Sequence, residues 1–174
     1  MGMTQVKAIY LENQLSEGAM ARITVAEYSA EEVVQRFLAL YTCIDFKEKL
    51  EELDIGKFQF VRRKKAMQEL KALSIALWNL ALQKSFPSKA GDFFESFCQE
   101  YPELADGSKR AAQMQGRVHN YLELLAEKKD ADFLPVASYL SEVLALNARD
   151  MHRLRVRLSL MTRKLFKHVF DHLV

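Results

Sequence analysis

The sequence predicts an all-α fold, a compact multi-helix bundle of about seven helices. Three observations lead there. From residue 29 onward, apolar residues recur at spacings of three and four, the period of a helix with one buried face. The turn formers are few, 6 Gly and 3 Pro in 174 residues, and fall mostly between those runs. Apolar residues make up 49% and charged residues 28%, with a net charge of +2. That balance suits a folded core and excludes disordered, collagen-like and low-complexity classes.

Residues 1–28 read as an N-terminal appendage packed on the domain. Segments 5–11 and 21–28 are rich in β-branched and aromatic residues around Glu17-Gly18, which predicts a short β-hairpin. A helix over 4–15 is the alternative, because Val6, Ile9 and Tyr10 share a helical face. Residues 29–174 read as a single α-helical domain.

Ser29 and Glu32 form S-x-x-E, a capping box, ahead of an apolar face of Val33, Val34, Phe37, Leu38, Tyr41 and Ile44. Asp45 restarts a helix with Phe46, Leu50 and Leu53 inward, and 54–56 stops it. The spacing predicts a long central helix over 57–85, with Phe60, Met67, Leu70, Leu73, Leu77 and Leu80 inward and Trp78 and Leu82 widening the stripe. Ser88 or a neighbour caps the next helix, whose face is Phe93, Phe94, Phe97, Cys98 and Tyr101. Pro102 suits a first helical turn, and Asp106-Gly107 breaks the chain. Ser108 caps a helix to about Lys129, and Asp132 caps another with Pro135 in its first turn. Asn147 is the expected cap of a last helix that runs nearly to Val174.

No run of 18 uncharged apolar residues occurs, and no basic region followed by an apolar run opens the chain, so neither a membrane span nor a secretory signal is expected. Cys43 and Cys98 form no CxxC pair and read as buried, reduced thiols. Together these predict a cytoplasmic protein with no membrane contact.

The small net charge hides an uneven distribution. Residues 1–61 carry −4, residues 62–147 carry +1, and residues 148–174 carry +5. The last helix is therefore the first candidate for a partner. Met151, Leu154, Leu158, Met161 and Leu165 continue to His168 and His172 at a/d spacing, which predicts a seam with a neighbouring helix or a second subunit. Arg149, Arg153 and Arg157 lie four apart as a basic stripe. The stripe could meet an acidic partner, pair with Glu48, Glu51, Glu52 and Asp54, or follow phosphates. It has no interleaved aromatics for base stacking, so nucleic acid is the weaker expectation. Arg62-Arg63-Lys64-Lys65 is a second basic cluster.

No motif calls for a cofactor. The alternative lies in the histidines: His168 and His172 stand at i, i+4, a transition-metal spacing, with His119 or His152 as further ligands. The chain has no G-x-S-x-G, no Walker-type loop and no G-x-G-x-x-G, which leaves the sequence without a nucleophile elbow or phosphate cradle.

Two short stretches resemble known families. Trp78 on a long helix, the string FFESFCQEYPEL over 93–104, and a helix with His119 followed by His152 resemble the first six helices of the globins. That resemblance implies haem, with His152 as proximal ligand and His119 on the distal side. Asp106-Gly107-Ser108 stands where globins place a Phe, and too little chain follows His152 for the last two globin helices. Arg163 to His168, RKLFKH, resembles the R-x4-H motif of HEPN-type ribonucleases, which are small helical bundles. The resemblance implies that Arg163 and His168 act together on an RNA backbone; Lys164 departs from the polar residue usual there. The sequence as a whole predicts a non-catalytic helical protein–protein interaction module that self-associates, with haem or metal binding and nucleic-acid binding or RNA cleavage as alternatives.

Overall fold

The computed structural model describes residues 28–53, 55–146 and 150–173. Among them are eight helices and no strand: α1 (Ala30–Cys43), α2 (Phe46–Glu52), α3 (Phe60–Ser85), α4 (Ala90–Glu100), α5 (Pro102–Ala105), α6 (Lys109–Lys128), α7 (Leu134–Val143) and α8 (Met151–Asp171). The all-α bundle is as expected, and the expected hairpin lies outside the described residues.

Local chemistry sets most helix starts. Ser29 accepts from the Glu32 backbone N–H at 3.2 Å, and Glu32 accepts from the Ser29 N–H at 2.9 Å, a complete capping box. Asp45 accepts from the N–H groups of Lys47 and Glu48, and Ser108 from that of Ala111. Asp132 accepts from the Leu134 N–H at 2.9 Å, with Pro135 in the first turn of α7. The cap of α4 is Lys89, the neighbour of Ser88, without a side-chain bond, and that of α7 is Phe133, one residue after the expected Asp132. Asp150 caps α8 through the Arg153 N–H at 3.0 Å, so that helix starts at Met151; Asn147 lies outside the described residues.

Helix α3 is the axis. It packs against α2, α4, α6 and α8, and Leu70, Leu73, Leu77, Trp78 and Leu82 are all fully buried. Its N-terminal half shares one apolar cluster with Leu154, Leu158 and Met161 of α8, and its C-terminal half shares another with Leu165, Phe166 and Val169. The two helices therefore run parallel. Phe133 meets Phe166 at 5.9 Å, which sets α7 antiparallel to α8. On the other flank, Phe37 stacks on Trp78 at 4.3 Å and 10°, and Phe97 meets both rings edge-on. The Trp78 indole N–H is buried there without a hydrogen-bond partner.

Two expected core positions face water instead. Phe60 fits the apolar period of α3 yet is 72% exposed, because the first turn of the helix projects past its neighbours. Residues 57–59 form a turn rather than helix, closed by the Gln59 N–H donating to the Gly56 carbonyl. Cys43 is exposed at the last position of α1; Cys98 is half-buried, and burial pushes its thiol pKa up. Both thiols are free. Among the described residues, no helix is long and apolar enough to cross a membrane.

Candidate functional site

At about 100° per residue, α8 divides into two faces. Leu154, Leu158, Met161 and Leu165 are buried, packed with Leu140 of α7, with Leu144 at its C-cap and with the Ala66–Leu82 stretch of α3. The expected a/d row is thus a seam inside the chain, with Met151 half-buried at its start. The outward face carries Arg153, Val156, Arg157, Leu160, Lys164 and Lys167. Leu160 is 55% exposed and Val156 38%. Arg153 turns back to its own cap, Asp150, at 3.1 Å, an exposed pair that adds little stability. Arg149 lies outside the described residues.

Of the acidic residues expected to face this stripe, Glu48 and Glu52 turn to their own helix, Glu51 is exposed, and Asp54 lies outside the described residues. Glu48 and Glu52 pair with Lys49 of their own helix, at 3.5 and 2.8 Å. Across the bundle, Glu142 of α7 lies 3.9 Å from Arg155.

The histidines are placed apart. His119 is exposed on α6 beside Glu123 at 3.2 Å, and His152 is exposed in the first turn of α8. His168 and His172 do meet, with ring centroids 4.6 Å apart, but the Nδ1 of His172 lies 2.8 Å from the His168 carbonyl. Among the described residues, no three His, Cys, Asp or Glu side chains converge as a metal ligand set. His119 and His152, the pair named by the globin resemblance, are thus both exposed, on α6 and at the start of α8. Arg163 and His168 stand about 140° apart around α8, at about 100° per residue. Arg163 donates to the Ala131 carbonyl at 3.1 Å and lies over Phe133, so it does not meet His168.

A groove of about 420 Å³ runs between α3, α5 and α6, lined by Lys64, Met67, Lys71, Arg110, Met114 and Arg117 among others. Its carboxylates are already engaged. Glu103 pairs with Lys71 at 2.6 Å, and Asp106 accepts from Ser108, which holds its carboxyl below the usual range. Behind the groove, buried Glu69 accepts from Arg117 Nε at 2.9 Å and from the Tyr121 hydroxyl at 3.0 Å. Burial first, and then the Glu69 charge, push the Tyr121 pKa far up, so the phenol stays a donor. This triad ties α3 to α6 and gives each buried oxygen of Glu69 a donor within the chain.

No protein-family model matches this chain, and no curated protein or solved structure matches it significantly.

Two features escaped the sequence reading. Phe58, Phe60 and Val61 form an exposed apolar tip, at 91%, 72% and 85% exposure. The adjacent F-x-F-V-R-R-K-K string was the available signal. The second is the division within the basic cluster. Arg62 and Arg63 turn inward onto backbone carbonyls, while Lys64 and Lys65 face solvent.

Proposed function

We propose that this chain is a non-catalytic helical module that binds another protein through the outward face of α8. The observation that carries the reading is Leu160, 55% exposed in the middle of a helix whose flanking outward residues are Arg153, Val156, Arg157 and Lys164. An apolar centre within a polar, charged rim is the usual make-up of a protein contact. The charge selects the partner. A two-fold pair through this face would set each cation stripe against its own copy, which costs free energy. An acidic surface or an acidic amphipathic helix gains from the same stripe, so the module takes an acidic partner rather than itself.

The test is a titration of the full chain with a Glu-rich amphipathic helical peptide bearing leucines at i, i+4. Binding is expected to weaken with added salt and to fall about tenfold in Leu160→Ser, the loss of one well-buried apolar anchor. Leu134→Ser, at another exposed leucine (41%) on α7, leaves it unchanged. Binding indifferent to Leu160 removes this reading. Light scattering at micromolar concentration is expected to give a monomer.

A further inference from the structure

The exposed tip at the start of α3 is a second surface, distant in sequence from α8. Phe58 and Val61 lie at the turn and the first helical turn, with Phe60 between them. Three large apolar side chains this exposed, next to one another, have no role in the chain's own core. The tip is also held in place. Arg62 reaches the carbonyls of Leu144 and Ala145, and Arg63 donates to the Ile55 carbonyl at 3.0 Å. These bonds anchor the base of the tip on both sides without neutralising either guanidinium.

The stretch that forms it is rich in cations. From Ile55 to Gln68 the chain has five cations, Lys57, Arg62, Arg63, Lys64 and Lys65, and no carboxylate. Of the acids on α2, Glu48 and Glu52 pair with Lys49 and Glu51 is exposed; Asp54, which precedes this stretch, lies outside the described residues. Helical spacing places Lys64 and Lys65 directly behind Phe60 and Val61, one turn or about 5.4 Å further from the tip. Apolar groups in front with ammonium groups one turn behind match the depth profile of a bilayer surface. There, apolar side chains sit about 5–10 Å into the headgroup boundary and lysines lie at phosphate level. A single-stranded nucleic acid fits less well, because the aliphatic Val61, as exposed as the phenylalanines, offers no ring for stacking.

We propose that Phe58, Phe60 and Val61, backed by Lys57, Lys64 and Lys65, seat this protein on an anionic lipid bilayer surface. The contact is peripheral and needs no spanning helix. It is independent of the α8 reading.

The test is co-sedimentation of the full chain with vesicles of phosphatidylcholine alone and of phosphatidylcholine mixed with phosphatidylserine. The protein is expected to pellet with the mixed vesicles, to stay in solution with phosphatidylcholine alone, and to be released by salt. Phe58→Ser combined with Phe60→Ser lowers the partition coefficient about tenfold or more, through lost apolar burial. Lys64→Ala and Lys65→Ala each lower it about fivefold. All of these sites are exposed, so the thermal midpoint stays at the wild-type value and reports that the variants fold. Leu160→Ser on α8 leaves vesicle binding intact. Equal binding to both vesicle types, or binding unaffected by the phenylalanine changes, overturns the proposal. So does a single-stranded oligonucleotide that binds through these residues when vesicles do not.

Discussion

Arg62 and Ala145 are 83 positions apart in sequence and joined at the end of α7: the Arg62 guanidinium donates to the Ala145 carbonyl at 2.5 Å and to that of Leu144 at 3.1 Å. Ala145 has φ +47, with its N–H donating to Glu142 and the Leu146 N–H to Ser141. That is the Schellman ending, with alanine at the left-handed position where glycine is usual. Two opposite effects are expected in urea unfolding. Ala145→Gly stabilises by about 1 kcal/mol, the reverse of the usual sign for Ala→Gly in a helix. Arg62→Leu destabilises by about 1.5–3 kcal/mol, because a charged donor leaves two carbonyls.

Arg117→Met leaves the Glu69 carboxylate buried with only the Tyr121 hydroxyl as a partner. A loss of about 3 kcal/mol is expected. Replacing all three together, Glu69→Leu, Arg117→Met and Tyr121→Phe, restores most of it, since an apolar set of similar volume carries no buried charge. Denaturant curves of the single and triple variants check both statements. A single variant no weaker than the triple would mean that Arg117 is not compensating Glu69.

Acid is expected to loosen this fold. The carboxyls of Glu32, Asp106 and Asp130 sit below their ordinary range, held down by hydrogen bonds from Ser29, Ser108 and Lys84 respectively. A depressed folded pKa means the stabilisation is present above the unfolded value, about pH 4, and is lost as pH falls through the folded value. The urea midpoint should therefore drop below about pH 4, and Ser29→Ala, which deletes the hydroxyl but keeps the backbone N–H donor, should remove only part of the share due to Glu32.

The alkaline side works through phenols. Burial is the first cause that raises the pKa of Tyr41 and of Tyr121 far above the ordinary value. Here the stabilisation is present below about pH 10 and is lost as pH rises beyond it. Followed by phenolate absorbance, Tyr41 and Tyr121 are expected to ionise only as the chain unfolds. Ionisation of all 6 tyrosines ahead of unfolding would contradict the burial of these two.

Phe37→Ala opens a cavity against the stacked face of Trp78, with an expected cost of about 3–5 kcal/mol. Trp78 is the only tryptophan, so its emission reports this site directly. The variant should move emission to longer wavelength as water reaches the ring.

Features written in neighbouring residues were legible in the sequence. The capping box at Ser29, the caps at Asp45 and Ser108 and the first-turn prolines all depend on positions at most four apart. The basic stripe at Arg153 and Arg157 was legible for the same reason. Phe60 was not, because helical period shows which side of α3 it occupies but not where the neighbouring helices end. Arg62 read as one more surface charge, because its acceptors on α7 come together with it only in the folded chain. The same holds for Glu69, which looks like any solvated helix glutamate until α6 brings Arg117 and Tyr121. The a/d row of α8 could be read equally as a subunit contact or as an internal seam; only the position of α7 and α3 separates the two.

The parallel pairing of α3 with α8 sets an order of events during synthesis. Ala66 and Leu70 leave the ribosome more than eighty residues ahead of Leu154 and Leu158, the side chains that cover them. Until α8 emerges, the central helix of the bundle has an open apolar flank, and the nascent protein is exposed to aggregation. A stall between α7 and α8 would therefore harm this protein more than a stall of equal length anywhere earlier.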